Sequence, residues 1–460
     1  MKNGKKLIIL PLFLLASSSL AGCTDPAAGK TKVIFWHTMG QTLRTLMDKT
    51  LLPMFYKENP GIYVEHTQQG GYDDLNDKLT SAIPAGTTPT MAFCYPDHVA
   101  DYNTSKACID LTTYINDPEL TFTEEDGLVD DINPIYWQEG KEYLDDGIYS
   151  VPFAKSTEMI FYNKAVFQKE KWTVPTSWEE METFMKAAKA KYPDAIPLGY
   201  DSDANLFITM CEQYGIPYTS LNKADGHGEA LFNNAAAKNM MTKLKGWVDD
   251  GLMTTQGLQN GSYTSTLFIE GKLLMTIGST GGTSYNYDKN LEAEIADMPS
   301  PIADVSKRFD FFTGTSVTPE HDVNNHIIMQ GPSICFFKKG TDEQKIAAWK
   351  LYKFLVRTMC TASYSTKSGY SPVRKSTFES ETFIDYLNSK QTGADSLIQK
   401  TVKRYEFLQE RYFVSPAFPG SSTARKEVDG ILANICTGTK TLDKAFADAW
   451  AKTDFAIPKN

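Results

Sequence analysis

Residues 32–95 read KVIFWHTMGQTLRTLMDKTLLPMFYKENPGIYVEHTQQGGYDDLNDKLTSAIPAGTTPTMAFCY. Val33-Ile34-Phe35-Trp36 is a short apolar run, fit for a buried strand. Leu43, Leu46, Met47 and Leu51 follow at helical spacing, and Asn59-Pro60-Gly61 marks a turn. Tyr63-Val64 opens a second strand. Leu75, Leu79 and Ile83 share one helical face, and Met91–Tyr95 is a third strand. Strand, helix, strand, helix, strand is the pattern of a parallel sheet whose crossovers are helical. Ligands of such sheets bind beyond the carboxyl ends of the strands. Three segments are therefore predicted to line a crevice: His37–Gly40, Gly70–Tyr72 and Tyr95–His98. Trp36 ends a strand and reads as core. His37 reads as either a ligand contact or a hydrogen-bonding group at the crevice floor.

Working outward, the second half of the chain has the same style. Ser177-Trp178-Glu179-Glu180 has the spacing of a capping box, and Trp178, Met181, Met185 and Ala188 continue one helical face. Leu273–Ile277 reads as a strand running into Gly278-Ser279-Thr280-Gly281-Gly282. Ile327–Phe337 is a further strand, interrupted by Gly331-Pro332. Thr341-Asp342-Glu343-Gln344 opens a helix with Ile346, Trp349, Tyr352 and Val356 on one side. There is no repeat period and no low-complexity tract.

The first 22 residues are different. Lys2, Lys5 and Lys6 precede the apolar run Leu7–Leu15, and small residues lead to Leu20-Ala21-Gly22-Cys23. This is a secretory signal, and its apolar stretch is too short to span a bilayer, which takes about 20 residues. Its end resembles a bacterial lipobox, which implies a lipid on Cys23 and a tether over residues 23–31. Lipid at Cys23 would hold the protein on the extracytoplasmic face of the cell membrane.

At 460 residues the chain is long enough for two globular units. Its formal charge of −10, or −13 without the leader and its three lysines, excludes the basic face that nucleic-acid binding needs. Cys94, Cys108, Cys211, Cys335, Cys360 and Cys436 show no C-x-x-C spacing, so zinc and redox motifs are unsupported. Spacing alone does not decide whether Cys94 and Cys108 pair. Phosphate-loop, dinucleotide, zinc-protease and serine-hydrolase motifs are missing, and no cofactor is expected. His321 and His326, five apart on a polar stretch, make a weak metal pair. Carboxylates are numerous enough for a glycosidase pair, so a secreted glycoside-acting enzyme using two cleft carboxylates is the alternative to a binding protein.

Several stretches in order resemble one family: KVIFWHTMG, GGYDDLNDKLTSAIPAGTTPTMAFCYPD, VPFAKSTEMIFYNK, PTSWEEMETFMKAAK, GKLLMTIGSTGG and SGYSPVRKS, behind a lipobox. The chain resembles the family 1 extracellular solute-binding proteins of bacterial ABC importers, nearest their glycerol-3-phosphate- and sugar-binding members. The resemblance implies an α/β, two-lobe periplasmic-binding-protein-like fold of type II, each lobe a mixed sheet flanked by helices. It places residues 32–153 with 330–368 in one lobe and 154–329 with 369–460 in the other, joined by a hinge. It further implies a monomer that captures a carbohydrate or glycerol-phosphate-type solute between the lobes and delivers it to a membrane permease and its ATPase.

Family positions carry over one by one. Tyr72 matches a first-lobe tyrosine that contacts ligand, and Ser156 a serine after the first hinge crossing. Ser279 and Thr280 match small hydroxyl residues after a second-lobe strand; a helix opening at Gly281 would aim free N–H groups at the ligand. Gly331 matches a glycine that ligand approaches closely, Tyr370 a second cleft tyrosine, and Arg425, in GSSTARKEVDGIL, an arginine that pairs with phosphate. Two departures stand out. Where the glycerol-3-phosphate-binding members carry a glutamate, this chain has Pro96 and then Asp97. Their tryptophan-rich stretch is replaced by Gly199–Asn205, with Asp203 as the candidate acceptor. Both departures favour a neutral sugar or oligosaccharide, or a related phosphodiester.

Overall fold

The computed structural model describes residues 26–141, 143, 145, 147–302, 311–312 and 324–459. The leader with Cys23, and His321 of the histidine pair, lie outside the described residues.

The strands are, in chain order, β1 (Thr31–His37), β2 (Ile62–Gln68), β3 (Met91–Cys94), β4 (Ser150–Pro152), β5 (Glu158–Asn163), β6 (Ile196–Tyr200) and β7 (Thr219–Asn222). They continue with β8 (His227–Ala230), β9 (Met253–Thr255), β10 (Leu273–Ser279), β11 (Ala293–Ala296), β12 (Ile327–Ile328), β13 (Ser333–Phe336) and β14 (Tyr412–Phe413). Two five-stranded sheets carry the fold, in the orders β2-β1-β3-β13-β4 and β11-β5-β10-β6-β9.

In the first sheet β2, β1 and β3 run parallel, as the opening sequence predicts. β1 alternates, with Val33, Phe35 and His37 buried, while β3 is buried throughout because helices cover both faces of a central strand. β13 then enters antiparallel between β3 and β4, so the sheet is mixed. In the second sheet β10, β6 and β9 are parallel, and β5 pairs antiparallel with both β10 and β11.

The helical periodicity after β1 is real but not continuous. Gln41–Leu46 and Leu52–Glu58 are α-helical, and Met47–Leu51 between them is a wider π turn. Pro53 explains it: with no N–H it cannot complete the ordinary ladder with the preceding turn. The two capping signals take the expected geometry. Ser177 Oγ accepts from Glu180 N–H before helix Trp178–Lys191, and Thr341 and Gln344 form a reciprocal capping box before Asp342–Leu355.

Chain segments pass between the sheets side by side. Ser156 N–H and Gln330 N–H each donate to the other's carbonyl, at 2.9 and 2.7 Å, and Lys155 pairs in the same way with Ser371. The Ile327–Phe337 run therefore serves two sheets, β12 pairing with β14 and β13 joining the first sheet, with the break at Gly331-Pro332. Below this strap the Lys155 ammonium is fully buried in an ion pair with Glu139, and Ser333 Oγ bonds to both (2.9 and 2.7 Å). All six described cysteines are free thiols, Cys94 and Cys108 included. Among the described residues no helix is long and apolar enough to cross a membrane.

Candidate functional site

A cleft of about 1350 Å³ lies where the carboxyl ends of both sheets' parallel strands face each other. The loops after β1, β2 and β3 contribute Thr38, Gly40, Tyr72 and Tyr95. Those after β6, β9 and β10 contribute Ser202, Asn205, Gln256, Ser279 and Tyr285, and the passing segments add Ser156, Glu158 and Gln330. This is the placement expected of open α/β sheets.

Of the residues singled out from sequence, Tyr72, Ser156, Ser279, Tyr370 and Arg425 come together in this cleft. The Tyr72 ring stacks on Tyr95 (centroids 4.4 Å, 20° between planes). Its hydroxyl is buried between the Thr38 and Tyr370 side chains without a well-formed hydrogen bond. Tyr370 rests on Gly281, where an added Cβ would sit 2.5 Å from the ring. That is why this position has no side chain. Ser279 Oγ donates to Ser156 Oγ at 3.3 Å and accepts from Gly281 N–H, which uses up the donor a ligand would have needed there.

Four candidates fall elsewhere. The Thr280 hydroxyl is buried, accepting from Thr157 N–H and Tyr405 Oη, and so fastens the second sheet to the strap. Asp203 turns away from the cleft: it accepts from Thr255 Oγ1 at 2.6 Å and Gly257 N–H at 2.8 Å, and burial pushes its carboxyl up to about 6. Gly331, at φ +91°, is pressed against the Ala154–Ser156 backbone, where a Cβ would lie 2.3 Å from the Ala154 carbonyl oxygen. Its close neighbour is the chain itself. Asp97 lines a separate cavity of about 60 Å³ on the far side of Arg425. Trp36 packs against the core, and His37 is buried, bonded to His66 at 2.8 Å and held down to about 3 by burial and the neighbouring His66.

A polar network that the sequence did not disclose crosses the cleft floor. Asn205 donates to Glu158 and Gln330 (both 2.9 Å), and its oxygen accepts from Gln330 and Arg425. Glu158 also accepts from Tyr200 Oη at 2.5 Å, and burial raises its carboxyl to about 7. Asn205 faces the floor and Asp203 the back because the helix Asp203–Gln213 puts residues two apart on different sides. Ser202 fixes that phase as N-cap, accepting from Asn205 N–H. At the cleft edge, Asp101 on helix Pro96–Thr104 accepts from Gly420 N–H (2.8 Å) and Ser422 Oγ. It thereby caps the helix Ser421–Asp429, which carries Arg425 and has no cap of its own.

The family described as "Bacterial extracellular solute-binding protein" matches residues 50–390. This chain belongs to that family. Its members are binding proteins, not enzymes, which removes the glycoside-acting alternative. The solute-binding chain is 24% identical to the sn-glycerol-3-phosphate-binding periplasmic protein UgpB of Shigella flexneri, over 95% of this chain and 96% of that one. Among solved structures, it resembles the ABC substrate-binding protein Lmo0181 of Listeria monocytogenes in complex with cycloalternan. That match has a TM-score of 0.71 at 16% identity and covers 93% and 98% of the two chains. UgpB of Mycobacterium tuberculosis in complex with glycerophosphocholine matches with a TM-score of 0.69 at 17% identity, over the same shares. These likenesses establish the fold as the type II periplasmic-binding-protein arrangement of two mixed sheets flanked by helices.

Tyr95, which ends a predicted strand and opens a segment expected to line the crevice, does line it. Glu158, Asn205 and Gln330 were open to sequence reasoning only through their neighbours. Gln330 precedes the Gly-Pro break, and Asn205 sits three residues after a capping serine.

Proposed function

We propose that this protein is the capture component of an ABC importer, binding a carbohydrate in the cleft and handing it to a membrane permease served by an ATPase. The observation that carries this is the cleft itself: large, open, lined by hydroxyls, amides and tyrosines, and set where segments pass between two sheets. Its carboxylates outnumber its cationic side chains seven to three, which disfavours a phosphate dianion and suits a neutral polyol. A glycerophosphodiester, with one negative charge and Arg425 to meet it, is the second solute to test.

On this reading residues 32–153 with 330–368 and residues 154–329 with 369–460 are two lobes that close on solute. The two sheets draw their strands from these two sets of segments, which supports the division. Closure requires that solute bind the shut form better than the open one. The protein works as a monomer outside the cytoplasm, held to the membrane by lipid on Cys23.

Titration calorimetry of the folded protein against mono- and oligosaccharides and glycerophosphodiesters tests the function. One-to-one saturation by a panel member is expected. No heat from any of them, with a cooperative unfolding transition intact, refutes it. Arg425→Ala separates the solutes, costing a phosphodiester about 2–5 kcal/mol and a neutral sugar less.

A further inference from the structure

Glu158 lies at the floor of the cleft and is 1% exposed. Tyr200 and Asp201 face it from the end of β6, Asn205 from the helix Asp203–Gln213, Arg425 from the helix Ser421–Asp429, and Ser279 lies opposite it on β10. Among these Arg425 is the one cation. The Asp201 carboxylate is already engaged, accepting from the Thr264 and Ser265 N–H groups and from the Thr264 hydroxyl.

Arg425 and Glu158 are joined through a single amide. Asn205 donates to Glu158 and Gln330 and accepts from Gln330 and Arg425, so both its N–H bonds and both its lone pairs are used. Turning this amide over would break the whole network, so it holds the guanidinium on one side and the carboxylate on the other. While Glu158 is ionised, two opposite charges share one buried network and largely cancel. The floor then offers a solute amides and hydroxyls but little net charge. A proton on Glu158 removes the cancelling charge and leaves Arg425 unbalanced.

The fold also has a place for that proton. Tyr200 Oη donates to Glu158 at 2.5 Å. Beside Tyr200, the Thr209 hydroxyl is buried with no hydrogen-bond partner, an arrangement that ordinarily costs stability. Once Glu158 is protonated, its O–H can donate to Tyr200 Oη, and the Tyr200 O–H can turn to Thr209 Oγ1. All three groups are then paired. Burial raises the Glu158 carboxyl to about 7, so both forms are populated near neutral pH.

We propose that Glu158 sets the charge preference of the cleft: ionised, it cancels Arg425 through Asn205 and the cleft takes an uncharged solute; protonated, it frees the charge of Arg425 and the cleft admits a phosphodiester anion. The inference rests on the cleft being the solute site.

The test measures two fixed probes by calorimetry from pH 5.5 to pH 8.5. Glycerophosphoglycerol is a phosphodiester whose single charge is constant over that range, and maltotriose is uncharged. The parent should bind the diester about tenfold more tightly at pH 6 than at pH 8, because the protonated fraction of a group titrating near 7 changes by that factor. Glu158→Gln carries no charge at any pH. It should bind the diester with a flat profile and, at pH 8, at least as tightly as the parent does at pH 6. Thr209→Val removes the acceptor that the protonated form needs and nothing that the ionised form uses, so the midpoint of the diester profile should move to lower pH. Because it deletes only an unpaired hydroxyl, this variant reads the same network even if Glu158→Gln does not fold. A flat profile for the parent overturns the proposal, as does Glu158→Gln binding the diester at pH 8 no more tightly than the parent, or Thr209→Val keeping the parent's midpoint. Equal pH slopes for the diester and maltotriose also overturn it, since the proton would then act on closure and not on charge. A diester bound by neither parent nor Glu158→Gln overturns the charge preference, and maltotriose binding in the same experiment leaves the capture function standing. Binding of neither probe overturns the charge preference, and the wider solute panel then decides the capture function separately.

Discussion

Asp101→Ala removes a carboxylate from the start of helix Ser421–Asp429, where it accepts hydrogen bonds from Gly420 N–H at 2.8 Å and from Ser422 Oγ. A hydrogen bond to a charged acceptor contributes about 1.5–3 kcal/mol, and loss of a helix cap costs about 0.5–2 kcal/mol. The site is partly solvated at the cleft edge, so water takes over some of each contact, and the net loss should be about 2 kcal/mol. Asp101 belongs to a helix beside the first sheet, and the helix it caps packs on helices of the second. The contact is formed while the cleft stands open, so its loss falls on the folded chain itself. Urea unfolding should show a loss of about 2 kcal/mol. Asp101→Asn keeps one acceptor and should lose roughly half of that free energy. Calorimetry with a bound solute should show a much smaller change in affinity. An unfolding midpoint equal to the parent's would refute the view that Asp101 caps this helix.

Gly331→Ala forces a side chain into a left-handed backbone against the Ala154 carbonyl, and urea unfolding should show a loss of about 3 kcal/mol or more; an unchanged midpoint contradicts the packing described. Lys155→Met strands Glu139 as a buried lone carboxylate and should cost about 3–5 kcal/mol. Adding Glu139→Leu should recover much of it, and a double variant weaker than both singles argues against an ion pair in the strap. Glu158 titrates near 7 in the folded chain against an ordinary value near 4.5, because it is buried. Between those values the folded form holds the extra proton. Its contribution to stability is therefore full below about pH 4.5 and is lost as pH rises through about 7. Glu158→Gln should flatten this slope by up to about 3 kcal/mol, read from urea midpoints at pH 5 and pH 8. Identical pH dependence in parent and variant would show that Glu158 titrates normally.

The strands β1 to β3 and both capped helices were legible because each is written locally, in an apolar run or in a Ser/Thr three residues before Glu or Gln. The insertion of β13 between β3 and β4 was not, since nothing near Ser333 names a partner at Cys94. The site divided along the same line. Tyr72 and Tyr370 sit beside glycines that keep a loop bare, and the sequence shows that. Asp203 and Asn205 are both polar and two residues apart, and only the phase of one helix decides which of them faces the cleft. Gly331 looked like a place where ligand meets backbone. The physical demand for a missing side chain was correctly inferred, but the object filling the space is a neighbouring stretch of chain.

The late arrival of β13 has a consequence for biogenesis. Until Phe336 has been delivered, β3 lacks a neighbour on one edge and β4 has none. A nascent chain of this protein can thus pair β1, β2 and β3 early, but completes its first sheet only after about three quarters of its length has emerged. Until then one edge of β3 stands unpaired, the kind of edge that invites pairing with another chain.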